Sequence, residues 1–213
     1  MRLRGHLQSW GGHTHEDVRP TNLFPTKSAI VGIVGNAMGL NRLREEDMKM
    51  LKEIDDSVSV SFRVNCQGTI LTDYHTVQGA PTANNSPRNV VITHRQYLNG
   101  ADFTALLEGR LPVLEKYAQA LKKPERTLNL GRRCCIPSRF IFQEIVEAED
   151  VIEAFSLAPP RWKGETESIS DGIIYTEGNE GPCVDVRDRC RYGHGHWFDS
   201  RRYMVLGPNS AGG

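Results

Sequence analysis

A chain of 213 residues is long enough for one domain with appendages or for two small ones. Its apolar runs fall short of the roughly 18 residues that mark a membrane-spanning helix, its N-terminus lacks a basic segment followed by an apolar run, and its five cysteines follow no regular framework, so the expected protein is soluble, cytoplasmic and reduced, with no membrane partner. The 26 basic and 26 acidic residues cancel, which excludes a globally basic nucleic-acid binder but leaves a locally basic one open.

Arg2 to Leu7 reads as a short strand, followed by "QSWGGHTHEDVRPTN", a loop rich in Gly, His and Pro. "FPTKSAIVGIVGNAMGL", residues 24–40, has a Lys-Ser pair and three glycines, but the glycines follow Lys-Ser where a Walker loop needs them before it, so ATP binding is not expected. At about 100° per residue Gly32, Gly35 and Gly39 form one helical stripe headed by Ser28, with Ile30, Val34, Ala37 and Met38 on the adjacent apolar face. Three glycines cost about 2 to 3 kcal/mol of helix propensity relative to alanine, so the stripe needs either close packing or a ligand to compensate. The helix entrance, Pro25 to Ser28, could attract an anion such as a phosphodiester.

An acidic helix is expected over about 44–54, then a half-buried strand in "SVSVSFRVN", where Val58, Val60, Phe62 and Val64 alternate with polar residues. "GTILTDYHTV" and "NVVITHRQYL" read as a long hairpin joined by "QGAPTANNSPR", and "ADFTALLEG" as the next strand. Leu111, Leu114, Ala118 and Leu121 share a helical face ending before Pro124, and "RFIFQEIV" is a strand candidate. This order fits an α+β, ferredoxin-like split βαβ unit with an inserted hairpin. A helix near 149–156, the linker-like "APPRWKGETESISDG", a β-rich tail around 172–206 and a flexible "PNSAGG" complete the chain.

Charge is distributed unevenly. Residues 18–44 contain no Asp or Glu but carry Arg19, Lys27, Arg42 and Arg44; 74–101 contain none but carry His75, Arg88, His94 and Arg95; 126–143 carry Arg126, Arg132, Arg133 and Arg139. Acids gather at 45–56, 144–153 and 165–180, as in a protein with one anion-facing surface and one solvated face.

Several segments together, "HLQSWG", "RPTNLFPTKSAIVGIVGNAMGL", "DYHTVQGA", "YLNGADF" and "LGRRCC", resemble the CasD family, the fifth Cas family, of the type I-E CRISPR complex Cascade. The resemblance covers residues 3–142 well and the tail loosely. It implies a ferredoxin-like (RRM-like, RAMP) βαββαβ domain over 1–145 with a β-hairpin thumb at about 66–100, a helix and β-rich extension over 146–207, and a flexible tail over 208–213. It also implies a subunit that holds the 5′ handle of the CRISPR RNA, caps the filament of backbone subunits, and touches the large target-recognition subunit, reaching target DNA through the complex. Another subunit cuts the precursor RNA, so this one would bind without catalysing; no cofactor or metal is implied.

A single-stranded RNA hook needs phosphate contacts and base contacts. Arg19, Lys27 and Ser28 would grip phosphates at the helix entrance, with a capped helix and solvated cations as the alternative. Gln8 and Trp10 would supply a base contact or, alternatively, a core plug. Tyr74 and His75 would act on the thumb as base-contacting or wedge residues, unless the hairpin is plainly exposed. Arg132 and Arg133 follow Gly131, whose bare backbone would let a phosphodiester approach, with a surface cation pair as the alternative. Strand alternation puts Arg95 and Tyr97 on one face, as a further RNA contact, and His94 on the other.

Two other readings follow from the residues. A metal-independent endoribonuclease processing precursor RNA could use Tyr74, His75 or Lys116 in acid–base chemistry, and a purely structural subunit could use its basic windows against protein. Cys183, Cys190, His194 and His196 invite a zinc reading, but their spacing fits no strong ligand pattern.

Overall fold

The computed structural model describes residues 1–12, 17–79, 90–158, 172–192 and 198–207. Its first sheet has the order β1-β7-β4-β8-β10-β9, built from β1 (Arg2–Arg4), β4 (Ser59–Cys66), β7 (Asp102–Glu108), β8 (Ile174–Glu177), β9 (Cys183–Cys190) and β10 (Phe198–Leu206). Every neighbouring pair in it is antiparallel. The second sheet centres on β6 (Val90–Asn99), which pairs with β2 (Leu7–Gln8), with β3 (Val18–Arg19) in parallel, and with β5 (Thr69–Gln78) along its whole length. The architecture is mixed α and β with antiparallel sheets, and the hairpin expected from the alternating "GTILTDYHTV" and "NVVITHRQYL" is β5–β6. Its joining residues 80–89 lie outside those described, as do most of "APPRWKGETESISDG" and the last six residues of the chain.

The helices are α1 (Lys27–Ala37), α2 (Glu45–Ser57), α3 (Leu111–Lys122) and α4 (Val151–Leu157). Among the described residues no helix is long and apolar enough to cross a membrane. α1 ends in a Schellman turn: the Leu40 amide donates to Gly35 O at 2.9 Å and the Gly39 amide to Asn36 O at 3.1 Å, with Gly39 at φ 76°. α4 opens on a cap in which Asp150 accepts from the Glu153 amide while Glu153 reaches back to the Glu149 amide.

The main core joins Leu3, Val60, Phe62, Phe103 and Ala105 of the sheet to Ile30, Val34, Tyr117 and Leu121 of the helices. β4 is buried on both faces, unlike the half-buried strand its alternation predicts. Ser61 bonds Thr176 on β8, and Arg63 donates to Phe155 O of α4 and lies over the Phe155 ring. Ser61 and Arg63 on β4 therefore mark internal partners, not solvent. The C-terminal strands are bound into this core, with the Phe24 ring stacked on Tyr175 at 3.9 Å and edge-on to Tyr203 at 5.5 Å.

The strand expected at 139–146 is a correction: this stretch has no regular secondary structure. It runs beside β1 but shares only two backbone hydrogen bonds with it, from Arg2 N to Ile141 O and from Ser138 N to Arg4 O. β1 is only three residues long, so it offers few free backbone groups on this edge, and Phe140 projects outward, 87% exposed.

Candidate nucleic-acid interface

The entrance of α1 already holds an anion, and that anion is the protein's own. Asp188 of β9 accepts from the Ser28 amide at 3.3 Å, and the Tyr203 hydroxyl accepts from the Lys27 amide at 3.0 Å. The Lys27 side chain is buried, with Nζ 3.1 Å from Glu177 Oε1 and 3.6 Å from Asp55 Oδ1. Arg201 completes the cluster, with Nε 2.9 Å from Asp188 and Nη1 2.7 Å from Glu177. Burial raises the Asp188 carboxyl above the usual range, against the opposing pull of Arg201. The expectation that Lys27 grips phosphate is corrected: its charge is spent inside the fold.

The glycine stripe divides into separate roles. Gly35 packs on α2, where a Cβ would come 2.4 Å from Leu51 Cδ2, and Gly39 stops the helix. Gly32 is half-buried, and a Cβ there would lie 2.8 Å from Nη2 of Arg42. Ser28, Ala29, Gly32 and Asn36 are the partly exposed positions of α1, at the spacing of a single helical face.

For Gln8 and Trp10, the core plug is the alternative that the packing favours. Gln8 is fully buried and donates to Leu3 O at 3.2 Å and Ala101 O at 2.6 Å, while its Oε1 accepts from the Trp10 indole at 3.1 Å. The Trp10 side chain is 1% exposed. Together they plug the seam between the two sheets, with Trp10 also at the margin of the cleft along α1. Tyr97 is buried as well, under the Arg132 guanidinium at 4.6 Å. Arg132 itself donates to Gln96 O at 2.8 Å and to Arg19 O at 3.0 Å, fastening its loop to β6 and β3. Gly131, at φ 96°, lies so close to Ser9 that a Cβ would be 1.7 Å from the Ser9 carbonyl oxygen. Its bareness serves that backbone contact.

What remains is a groove. A cleft of about 1100 Å³ follows the partly exposed face of α1 from Ser28 to Asn36 and is lined by Arg19, Arg42, Arg44, Arg126, Arg132, Arg133 and Arg187 against, among the described residues, a single carboxylate residue, Glu45. Arg19, Arg42, Arg44 and Arg133 are exposed, and among the described residues no carboxylate is paired with them. Arg126 donates to Leu40 O, in the turn that follows α1, at 2.9 Å. Low-dielectric walls with one sign of charge focus a field that favours a polyanion.

The structure thus brings Trp10, Arg19, Ser28, Arg132 and Arg133 to this cleft, Trp10 as a buried residue, while Tyr74, His75 and Arg95 lie on the β5–β6 hairpin and do not line it. Tyr74 is 59% exposed, with its ring 5.5 Å from that of His94 across the strand pair; His75 pairs with Thr93 on the other face. Arg95 is half-buried, donating to Thr93 Oγ1 at 3.2 Å. Arg42, Arg44, Arg126 and Arg187 line the cleft but were not singled out as contacts by the sequence. The first three lay in windows free of acids, and that was their signal; Arg187 had none, standing between Asp185 and Asp188. Cys183 and Cys190 sit at opposite ends of β9, and His194 and His196 lie outside the described residues. Cys135 is buried, which pushes its thiol up to about 12.

Comparison with known proteins points the same way. A family model described as CRISPR-associated protein (Cas_Cas5) matches residues 1–195. The chain is 34% identical over 165 residues to the CRISPR system Cascade subunit CasD of Escherichia coli (strain K12), covering 70% of this chain and 71% of that protein. Among solved structures it is similar to a chain of a CRISPR RNA-guided surveillance complex, with TM-score 0.77 and 25% identity over 97% of this chain and 88% of the other. It is also similar to a crystal structure of a Cas protein, with TM-score 0.66 and 27% identity over 98% and 94% of the two chains.

Proposed function

The chain belongs to the Cas5 family of CRISPR-associated proteins, and on that premise we propose that it is the CasD-type, RNA-binding subunit of a type I-E Cascade complex. It holds the 5′ handle of the CRISPR RNA, caps the filament of backbone subunits, and meets the large subunit that inspects target DNA. The observation that carries the RNA assignment is the arginine cleft along α1, where Glu45 is the single carboxylate residue among the described lining. Phosphates lie along this cleft, positioned by guanidinium groups that suit them better than ammonium would.

The core is a ferredoxin-like RAMP domain. In support, β1, β7 and β4 are antiparallel neighbours, α1 and α3 connect strands in the expected order, and residues 138–141 occupy the fourth strand's place beside β1. The β5–β6 hairpin is the thumb. Tyr74 and His75, the leading candidates for nuclease chemistry, occupy opposite faces of this hairpin, which supports a subunit that binds without cutting.

The test is to incubate the full-length chain with repeat-derived single-stranded RNA across a salt series, following binding by anisotropy and the RNA by denaturing gel. Salt-dependent binding with intact RNA is expected. A discrete cleavage product would overturn the non-catalytic assignment, and the absence of salt-dependent binding would overturn the RNA-binding one.

A further inference from the structure

The arginine cleft does not end in arginines. Where β9 and β10 border it, its lining passes to Tyr192 and Phe198, with Arg187 and Cys190 beside them. Phe198 faces Cys190 across the β10–β9 pair. Both rings are half-buried, and neither stacks on another ring among the described residues. Tyr192 packs against the edge of the core, but Phe198 stands outside the core cluster altogether. Phe198 is thus an aromatic ring at the end of a cationic cleft with no ring partner among the described residues.

Arg42 connects the two parts of the lining. Its guanidinium lies over Gly32 of α1, and although burial pushes the Tyr192 hydroxyl and the Cys190 thiol up, the Arg42 charge is near enough to both to oppose that rise. A strand whose phosphates follow the arginines would therefore deliver its next base to the aromatic end. Cationic tracks interleaved with aromatic platforms are how proteins hold unpaired nucleotides, since every base has a π face.

We infer that Phe198, with Tyr192 beside it, forms a stacking subsite for an unpaired nucleobase of the strand held in the arginine cleft, so that the C-terminal strands take part directly in RNA capture. This rests on the RNA-binding reading above and extends it to the C-terminal part of the chain.

The experiment uses the full-length chain and short single-stranded oligoribonucleotides from the 5′ end of the repeat-derived RNA, each carrying 2-aminopurine at one position. Stacking on an aromatic ring quenches that base. Quenching at one position on binding is expected, retained in Phe198→Trp and lost in Phe198→Leu, which keeps apolar bulk but removes the ring. Phe198→Leu should also weaken binding about fivefold or more while leaving the salt slope unchanged, because it removes no phosphate contact. Wild-type affinity and quenching in Phe198→Leu would overturn the inference. Arg42→Gln with Arg133→Gln serves as the separate control: if that pair leaves affinity and slope unchanged, the cleft reading itself fails, whatever Phe198 does.

Discussion

Asp188 Oδ2 lies 3.3 Å from the amide nitrogen of Ser28, 160 residues away in sequence, and 2.9 Å from the Tyr203 hydroxyl. The positive end of α1 is therefore satisfied by a carboxylate from β9, and the C-terminal strands are fastened to the helix whose outer face lines the cleft. The surrounding cluster sets Lys27 and Arg201 against Asp55, Glu177 and Asp188. Such a buried network fixes one arrangement of strands and helix because each broken pair leaves a charge behind.

Asp188→Ala should cost about 3 kcal/mol, since Arg201, the Ser28 amide and the Tyr203 hydroxyl lose a partner together. Urea unfolding should show a lower midpoint with an unchanged slope. The cost should depend on pH. Burial raises the folded-state pKa of Asp188 above its ordinary 3.8, so its contribution is complete below 3.8 and declines as pH rises through the raised value. A cost that grows over that window would mean that the ion pair, not burial, governs Asp188.

Gly35→Leu should destabilise the protein by about 1 to 3 kcal/mol, although leucine is the better helix former by nearly 1 kcal/mol. The obstruction is Leu51 Cδ2, 2.4 Å from the position of the added Cβ. Because that obstruction is a side-chain methyl, Leu51→Ala should recover part of the loss in the double variant, giving a coupling energy of opposite sign to the single costs. Thermal melts of the four proteins check this; strict additivity would mean that Gly35 is constrained by something other than α2.

The sequence made some of these features legible and hid others for physical reasons. Local periodicity exposed α1, α3 and the β5–β6 pair, because each element's pattern lies within its own residues. Lys27 looked like a phosphate ligand because its partners, Asp55 and Glu177, come from distant elements; no local pattern reveals an ion pair closed over 150 residues. Trp10 beside two glycines read equally well as a base platform or a plug, and only the paired burial of Gln8 decides between them. The cleft was half legible, through windows without acids, since exclusion of carboxylates leaves a trace in sequence even when contact does not.

Gly131→Ala should be among the most damaging single-methyl changes in the chain. The new Cβ would overlap the Ser9 carbonyl oxygen at 1.7 Å, and φ of 96° is strained for any side chain. Backbone cannot turn aside as Leu51 can, so a loss of about 3 kcal/mol is expected. Circular dichroism during urea unfolding measures it; a loss under about 1 kcal/mol would show that the loop shifts freely from β2.

The neighbouring arginines Arg132 and Arg133 should separate cleanly, which treating them as one cation pair would conceal. Arg132 gives two hydrogen bonds to the Gln96 and Arg19 carbonyls and covers the Tyr97 ring, so Arg132→Gln should lower stability by about 1 to 3 kcal/mol through the carbonyls left unpaired. Arg133 is exposed in the cleft lining with no described partner, so Arg133→Gln should leave the melting temperature unchanged, weaken RNA binding, and reduce the salt slope by about 0.7, the value for one phosphate contact on a single strand. Melting curves without RNA and anisotropy titrations across a salt series resolve the two effects. If Arg133→Gln kept full affinity and slope, phosphates would not pass this corner of the cleft; if Arg132→Gln melted normally but lost slope, its guanidinium would face RNA more than the carbonyls it touches.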